Sequence, residues 1–380
     1  MALSVSSPSV SRWPGLPDAE RRVLLDLLLH GAQPRARIGD RLGLSRTSLT
    51  RTTRTLIDAG LVVEGDTVAL GSRGRPAETL HLRPEAAHFV GVKLTADTLY
   101  LVVTDLRARI VSRGSIPLPS RDVGEVVALI AGAVPTDIEV IAGIGIAVAG
   151  DIVPTPAGAV LRRSAFLRWD SVALAELVTD ATGLPATAVN DVHALAGAHH
   201  WFGGDRHRSL VVFGVGAGIG TGVILGEDLH EGAHGRAGRV GHSRIGGRGR
   251  RCENGHTDCV HSFVTMPSIE HNAGVAAGGY AEALARARGG DSVADDAFRH
   301  AARALGAVIA EAVNAFDPEV IVVMGEGVDM LDLHDATLRA ALAEHLEQGD
   351  AAEVMIERPG FDFALYARGA AVAVMRELLA

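Results

Sequence analysis

Residues 35–60 read RARIGDRLGLSRTSLTRTTRTLIDAG, and this stretch decides the fold of the N-terminus. Arg35 to Leu42 forms a short helix that presents Ile38 and Leu42. Gly43-Leu44-Ser45 is a tight turn containing glycine. A longer helix follows from Arg46 to Ala59, with Leu49, Leu56 and Ile57 facing inward at helical spacing. Ser45 stands where an N-cap is needed, and Gly60 suits the left-handed residue after the last turn. Upstream, Ala19 to His30 places Val23, Leu24, Leu27 and Leu28 on one face, with Asp18 as its cap and Gly31 as its stop. Helix, short helix, tight turn and helix is the spacing of a helix-turn-helix.

The outward face of the third helix decides what this head is for. Ser45 and Ser48 flank its first turn, and Arg46, Thr47, Thr50, Arg51 and Arg54 point away from the core. Such donors reach phosphates and base edges, with arginine suited to guanine. Leu61–Glu64 and Thr67–Leu70 alternate like strands around Gly65-Asp66, which predicts a wing. Ser72-Arg73-Gly74-Arg75-Pro76 follows, and Arg73 and Arg75 suit a minor groove. A small protein-interaction domain with a solvated arginine face would show the same helix alone. The complete order of turn, capped helix, wing and basic tail favours double-stranded DNA as the partner.

The chain around this head has 380 residues, enough for two or three domains. Hydrophobic residues make up 47% and charged residues 21%, which excludes a disordered chain. The net charge of -9 is unevenly placed. Residues 1–83 hold 12 arginines against 8 acids, a surplus of +4, so the remainder carries -13. A basic head on an acidic body places any polyanion at the head. Lys93 is the sole lysine, a composition bias we attribute to a GC-rich genome. The two cysteines, Cys252 and Cys259, are too few for a disulfide framework and read as metal ligands or buried thiols in a reducing cytoplasm. No apolar run reaches the roughly 18 residues that span a membrane. Residues 1–17 lack a secretion signal and are expected to be a flexible tail.

After Pro84 the pattern changes to strands (His88–Leu94, Leu99–Asp105, Arg109–Leu118), a helix (Val123–Ala133) and a strand (Glu139–Val148). A second β-rich opening starts at Ser209–Val215 and Thr221–Leu225. Two such openings, each followed by α/β alternation, predict two similar lobes with a ligand cleft between them.

Several ordered motifs then resemble the ROK family of repressors, open reading frames and sugar kinases. They are Gly-Leu-Ser-Arg before the third helix (residues 43–46), Ile-Asp-Ala-Gly-Leu-Val after it (57–62) and Gly-Arg-Pro beyond the wing (74–76). In the body they are Asn190-Asp191-Val192, Gly216-Ala217-Gly218-Ile219-Gly220, Gly232-Ala233-His234-Gly235, Ala237 to His242, a cysteine motif from Cys252 to His261, and Asp317 to Ile321. The resemblance implies an α/β, two-lobed, actin-like/ribonuclease-H-like sugar-kinase fold preceded by the winged helix-turn-helix. Its expected domains are the head at 18–83, one lobe at 84–204 completed by the C-terminal helix 366–380, and a second lobe at 205–365.

The resemblance also separates regulator from kinase. Asp191 matches the family's catalytic base, and Asp is also common as a helix N-cap. Family kinases carry an Asp-x-Gly-Gly-Thr run on the first hairpin, where this chain has Lys93-Leu94-Thr95-Ala96-Asp97-Thr98. Side chains there keep the backbone from approaching a phosphate. The second loop keeps three glycines but has Ala217 in place of the usual Thr. The expectation is therefore a regulator that is not an enzyme, a repressor by family habit, acting as a homodimer or higher oligomer. An ATP-dependent sugar kinase and a regulator answering to a protein partner are the alternatives.

The effector positions implied by the family are Asn190, Asp191, Arg239, His242 and His261. Arg239 and His261 replace carboxylates, and Phe166 lies near the family's Asn ahead of Trp169. Arginine cannot accept a hydroxyl proton, so Arg239, with Lys93, suggests an anionic sugar derivative such as a phosphosugar. Arg239 paired to a neighbouring acid in a vestigial pocket is the other reading. The family's structural zinc site maps onto His242, Cys252 and Cys259, with Asn254 in place of a middle cysteine and His256 or Asp258 as a fourth ligand.

Overall fold

Helical periodicity and capping residues build the head as read. The computed structural model describes residues 13–68, 77–155 and 158–379. Helix α1 is Asp18–His30, the short strand β1 is Gln33–Pro34, α2 is Arg35–Leu42 and α3 is Arg46–Asp58. Ser45 caps α3 by accepting from the Ser48 N–H at 3.2 Å. Gly60, with φ +72°, ends it, as a left-handed residue after a helix should. Strands β2 (Val62–Val68) and β3 (Ala77–Leu82) form the wing, with β1 pairing on the far side of β3.

Three details differ from the sequence reading. Pro17 holds the N-cap position of α1, and Asp18 is its first helical residue, paired to Arg21 at 3.3 Å. Gly65-Asp66 is no hairpin turn. The strand β2 runs through it, and the register against β3 slips there, from Glu64 opposite Leu80 to Thr67 opposite Glu78. The His81 ring lies where any Gly65 Cβ would be, and Thr79 Oγ1 donates to the Asp66 carbonyl at 2.8 Å, so the glycine marks a bulge. The expected tail is partly anchored, because the Trp13 ring packs at 6.1 Å from that of Phe89. Arg73 and Arg75 lie outside the described residues.

The body begins with strands β4 (His88–Leu94), β5 (Thr98–Asp105) and β6 (Ile110–Pro117), then α4 (Val123–Ala133) and β7 (Ile141–Val148). A separate three-stranded sheet follows, of β8 (Asp151–Thr155), β9 (Gly158–Ser164) and β10 (Trp169–Val172). Then come α5 (Leu174–Thr182), β11 (Ala186–Asn190) and α6 (Asp191–Phe202). The main sheet has the order β11-β7-β4-β5-β6, with β4 antiparallel to β5 and parallel to β7.

The chain then builds β12 (Leu210–Val215), β13 (Ile219–Leu225) and β14 (Asp228–Leu229). Helices α7 (His261–Val264), α8 (Met266–Ala273), α9 (Tyr280–Arg288) and α10 (Ser292–Phe316) follow. Strand β15 (Val320–Met324), helix α11 (Met330–His345), strand β16 (Ile356–Glu357) and helix α12 (Ala364–Leu379) complete it. Its sheet order is β14-β13-β12-β15-β16. Both sheets thus read third, second, first, fourth, fifth strand, with two antiparallel pairs and then parallel additions. That is the ribonuclease-H-like order, occurring twice.

Two compact units result: residues 1–194 with 366–380, and residues 195–365. The first unit is left within α6, after Ala194, and resumes at Tyr366 in α12. In the first unit α12 lies directly on the central sheet. A Cβ on Gly91 or Gly145 would collide with the carbonyls of Ala367 and Ala370, so only glycine permits this approach. In the second unit the alanine-rich face of α10 is buried against the sheet and α11. No helix among the described residues is long and apolar enough to cross a membrane.

Candidate functional sites

The α3 face is set by what lies behind it. Leu49, Thr52, Thr53 and Leu56 are buried, which leaves Arg46, Thr47, Thr50, Arg51 and Arg54 exposed. Ser45 is exposed at the cap and Ser48 is half-buried. Among the described residues, Arg46, Arg51 and Arg54 form no side-chain hydrogen bond or ion pair, whereas other arginines of the head are tied down. Arg41 reaches the buried Asp26 at 2.7 Å and Gln33 at 3.1 Å. Arg35 bonds Thr53 at 3.2 Å and pairs with Glu64. Among the described residues of the head, the guanidinium groups left unused are the three on α3, together with Arg37 on α2, and they are exposed.

A second site lies at the start of α6. Lys93 is only 4% exposed, and its Nζ pairs with Oδ2 of Asp191. The other Asp191 oxygen accepts from the Val192 N–H at 3.0 Å. The Tyr366 ring faces the ammonium, 4.9 Å from Nζ to the centroid. The carboxylate that matches a kinase base is therefore already paired within the protein. The same contact answers the use of Lys93 as a free cation for an anionic effector: its charge is neutralised inside the protein. Asn190 is occupied as well. Its Oδ1 accepts from the N–H groups of Val192 and His193 at 3.0 and 3.2 Å, and its Nδ2 donates to the Gly150 carbonyl at 3.1 Å.

The second glycine loop joins β12 to β13, with the Gly216 N–H donating to the Gly218 carbonyl at 2.9 Å. Glu326, after β15, lays its carboxylate against Gly216, in the space a side chain there would fill. Sequence reasoning missed this residue, because 110 positions separate it from the loop. A carboxylate against the loop repels a phosphate that would use the loop's N–H groups.

The cysteine loop gathers His242, Cys252, His256 and Cys259, whose ligand atoms all lie within 4.8 Å of one another. His242 Nδ1 is 3.8 Å from Cys252 Sγ and 3.7 Å from Cys259 Sγ, and His256 Nδ1 is 3.7 Å from Cys252 Sγ. With zinc–sulfur bonds of about 2.3 Å and zinc–nitrogen bonds of about 2.0 Å, a tetrahedral ligand edge is about 3.6 Å, close to these spacings. Two cysteines and two histidines therefore form a cluster that could hold a metal ion. Partial desolvation pushes the Cys259 thiol up and His242 down. Asp258 is not a member. Its buried carboxylate accepts from the N–H groups of Arg248, Gly249 and Arg250 at 2.9, 3.1 and 2.9 Å, and the Arg248 bond is the main cause of its lowered pKa. Asn254, in place of the middle cysteine, lies 3.1 Å from His242 Nε2.

Both His242 nitrogens are thus engaged within the cluster. His261 stacks on the His242 ring at 5.4 Å and stands 3.1 Å from Glu253. Arg239 is exposed and has a partner of its own within the chain. Phe166 is exposed, while Trp169 is buried and donates to the Arg121 carbonyl at 2.6 Å.

Two sheets of one order, each carrying a hairpin and helices, define a sugar-kinase-like fold in which both phosphate loops are compromised. The family model for the ROK family matches residues 89–377, and the chain belongs to that family. A Caldicellulosiruptor sp. protein inferred to be a xylose repressor is 29% identical over 350 residues, covering 83% of this chain and 85% of that one. The Escherichia coli DNA-binding transcriptional dual regulator NagC is 26% identical over 318 residues, covering 78% of this chain and 77% of NagC. The crystal structure of a ROK family transcriptional regulator, a homologue of the E. coli MLC protein, superposes with a TM-score of 0.81 at 22% identity. It covers 95% of this chain and 96% of that one. Solved ROK kinases superpose on only 75–77% of this chain.

Proposed function

We propose that the protein is a sequence-specific DNA-binding transcriptional regulator, a repressor, that meets its operator through α3. The observation that carries this reading is the set of unpaired guanidinium groups on a capped recognition helix. The relatives named as repressors, and the likeness of nearly the whole chain to a solved ROK regulator, support it. Residues 18–83 are the DNA-binding head, with residues 84–204 and 366–380 as one lobe and 205–365 as the other. Arg73 and Arg75 join the DNA contact. Two copies bind paired half-sites about one helical turn apart.

The effector is a sugar or sugar derivative, with Asn190, Asp191, Arg239, His242 and His261 as its candidate residues. An anionic ligand now has Arg239 as its sole motive, and Arg239 is already engaged, so neutral sugars come first in a screen and phosphosugars second. Linkage between effector and operator is typically about 1–3 kcal/mol. The kinase alternative has little support, given the paired Asp191 and the Glu326 carboxylate, and an ATP-turnover assay across a sugar panel tests it.

The metal cluster takes zinc as a structural ion through His242 Nδ1, Cys252, His256 and Cys259. Four protein ligands leave no open position, so the ion would brace the loop and supply no reactive water. Asn254, by turning its amide, accepts the His242 Nε2 proton and orients the ring. Elemental analysis of freshly purified protein is expected to give one zinc per chain, and none would remove this assignment.

The decisive experiment is fluorescence anisotropy on the intergenic DNA upstream of the protein's own gene, beside an unrelated duplex at several salt concentrations. Preference for the upstream DNA, lost in Arg46→Ala with Arg51→Ala, is the expected result. Equal binding to both duplexes, unchanged by the mutations, defeats the reading.

A further inference from the structure

The chain passes between its two units twice, and one side chain touches both passages. It leaves the first unit within α6, after Ala194, and returns at Tyr366 near the start of α12. Lys93 pairs with Asp191, the first residue of α6, and its ammonium faces the ring of Tyr366. It is carried by β4, the middle strand of its sheet, held by Tyr100 on one side and Ala147 on the other. The strand also receives α12 directly at Gly91. A rigid strand therefore holds a buried cation against the roots of both connecting segments. The chain's sole lysine is in this place.

We propose that Lys93 is a positioning residue that clamps the starts of α6 and α12 together, and that an effector acts by loosening this clamp. Both Asp191 oxygens already have a donor, one the ammonium and the other the Val192 N–H. A sugar hydroxyl that donates to this carboxylate must share it with Lys93, and the attraction between ammonium and carboxylate weakens as the acceptor is shared. The two segments then loosen in one event, since one cation serves both. The regulatory half of this inference rests on Asp191 being an effector residue; the clamp itself does not.

Hydrogen–deuterium exchange on the full chain tests the clamp without DNA. Lys93→Met keeps an unbranched side chain one atom shorter and removes the charge. Exchange is expected to rise by about threefold or more in the first turns of both α6 and α12, with β12 and β13 unchanged. A rise in one segment alone, or in neither, overturns the clamp. If the variant unfolds, native-state exchange of the wild type in rising urea decides the matter. Equal opening free energies for the two helix starts support the clamp, and separate ones overturn it. For the regulatory half, D-xylose, D-glucose and N-acetylglucosamine are added to the operator complex. The sugar that weakens DNA binding is expected to raise exchange in both segments of the wild type, and Lys93→Met is expected to lower its effect on DNA about fivefold or more. A full sugar response in Lys93→Met overturns the coupling and leaves the regulator reading intact. Absence of operator binding in the wild type overturns the regulator reading, and the clamp is then judged on exchange alone.

Discussion

Arg46, Arg51 and Arg54 on α3 and Lys93 on β4 carry the same charge into opposite surroundings. The arginines are exposed and, among the described residues, form no ion pair, whereas Arg21, Arg35 and Arg41 of the same head are paired to acids. The lysine is buried and already has its counter-ion in Asp191. The difference teaches how to separate a surface whose charges are open to a ligand from one whose charges are satisfied internally. A surface built to meet a polyanion keeps its cations unpartnered, because an internal acid would compete with phosphate for each guanidinium. Inside the body a buried cation left unpaired is costly, so Lys93 lies against Asp191.

The largest test of this contrast is Asp191→Ala, which leaves a buried ammonium without its partner. Stability is expected to fall by about 3–5 kcal/mol in urea unfolding, the usual result of stranding a buried charge. A loss under about 1 kcal/mol would mean that the pair is effectively solvated, as exposed pairs are. Arg41→Ala examines a tied arginine within the head. It removes a donor from the buried Asp26 and leaves it with Gln33 at 2.8 Å and His30 at 3.9 Å. The expected loss is about 1–3 kcal/mol of head stability, read by thermal melting. Arg51→Ala does the reverse: stability should stay within about 0.5 kcal/mol, the range of ordinary surface changes. Operator binding should weaken by about 1–3 kcal/mol if the side chain reads a base, while a phosphate contact would mainly lower the salt slope by about one. If Arg51→Ala melts the head, its guanidinium is not free and the contrast breaks. The smallest effect belongs to Ser45→Ala, which removes the cap of α3 and should lower head stability by about 1 kcal/mol in the same melt.

What could be read in advance depended on how local the cause was. Helices α1, α2 and α3 came close to their observed limits because apolar spacing, Ser45 and Gly60 act within a turn or two. Gly65-Asp66 misled because its meaning is set by His81, across the sheet on β3. The loss of glycines after Lys93 was plain in the motif, but the lysine's partner lies 98 residues away. Spacing alone left His256 and Asp258 as equal candidates for the metal. Three backbone N–H groups converging on Asp258 removed it, and no pattern of residue types announces such a contact.

By itself, then, the sequence determined the basic head, the helix-turn-helix, the duplicated α/β body and the eroded first phosphate loop. The first three follow from periodicity, capping and composition, which act between near neighbours, and the last is what the family resemblance implies. Only the tertiary structure decided that Lys93 pairs with Asp191, that Glu326 lies against Gly216, that His256 joins the cysteines and that the α3 arginines have no partner among the described residues. Each is a statement about which charge or donor meets which across the fold. Coulombic and hydrogen-bond energies depend on distance in space, and distance along the chain does not report it.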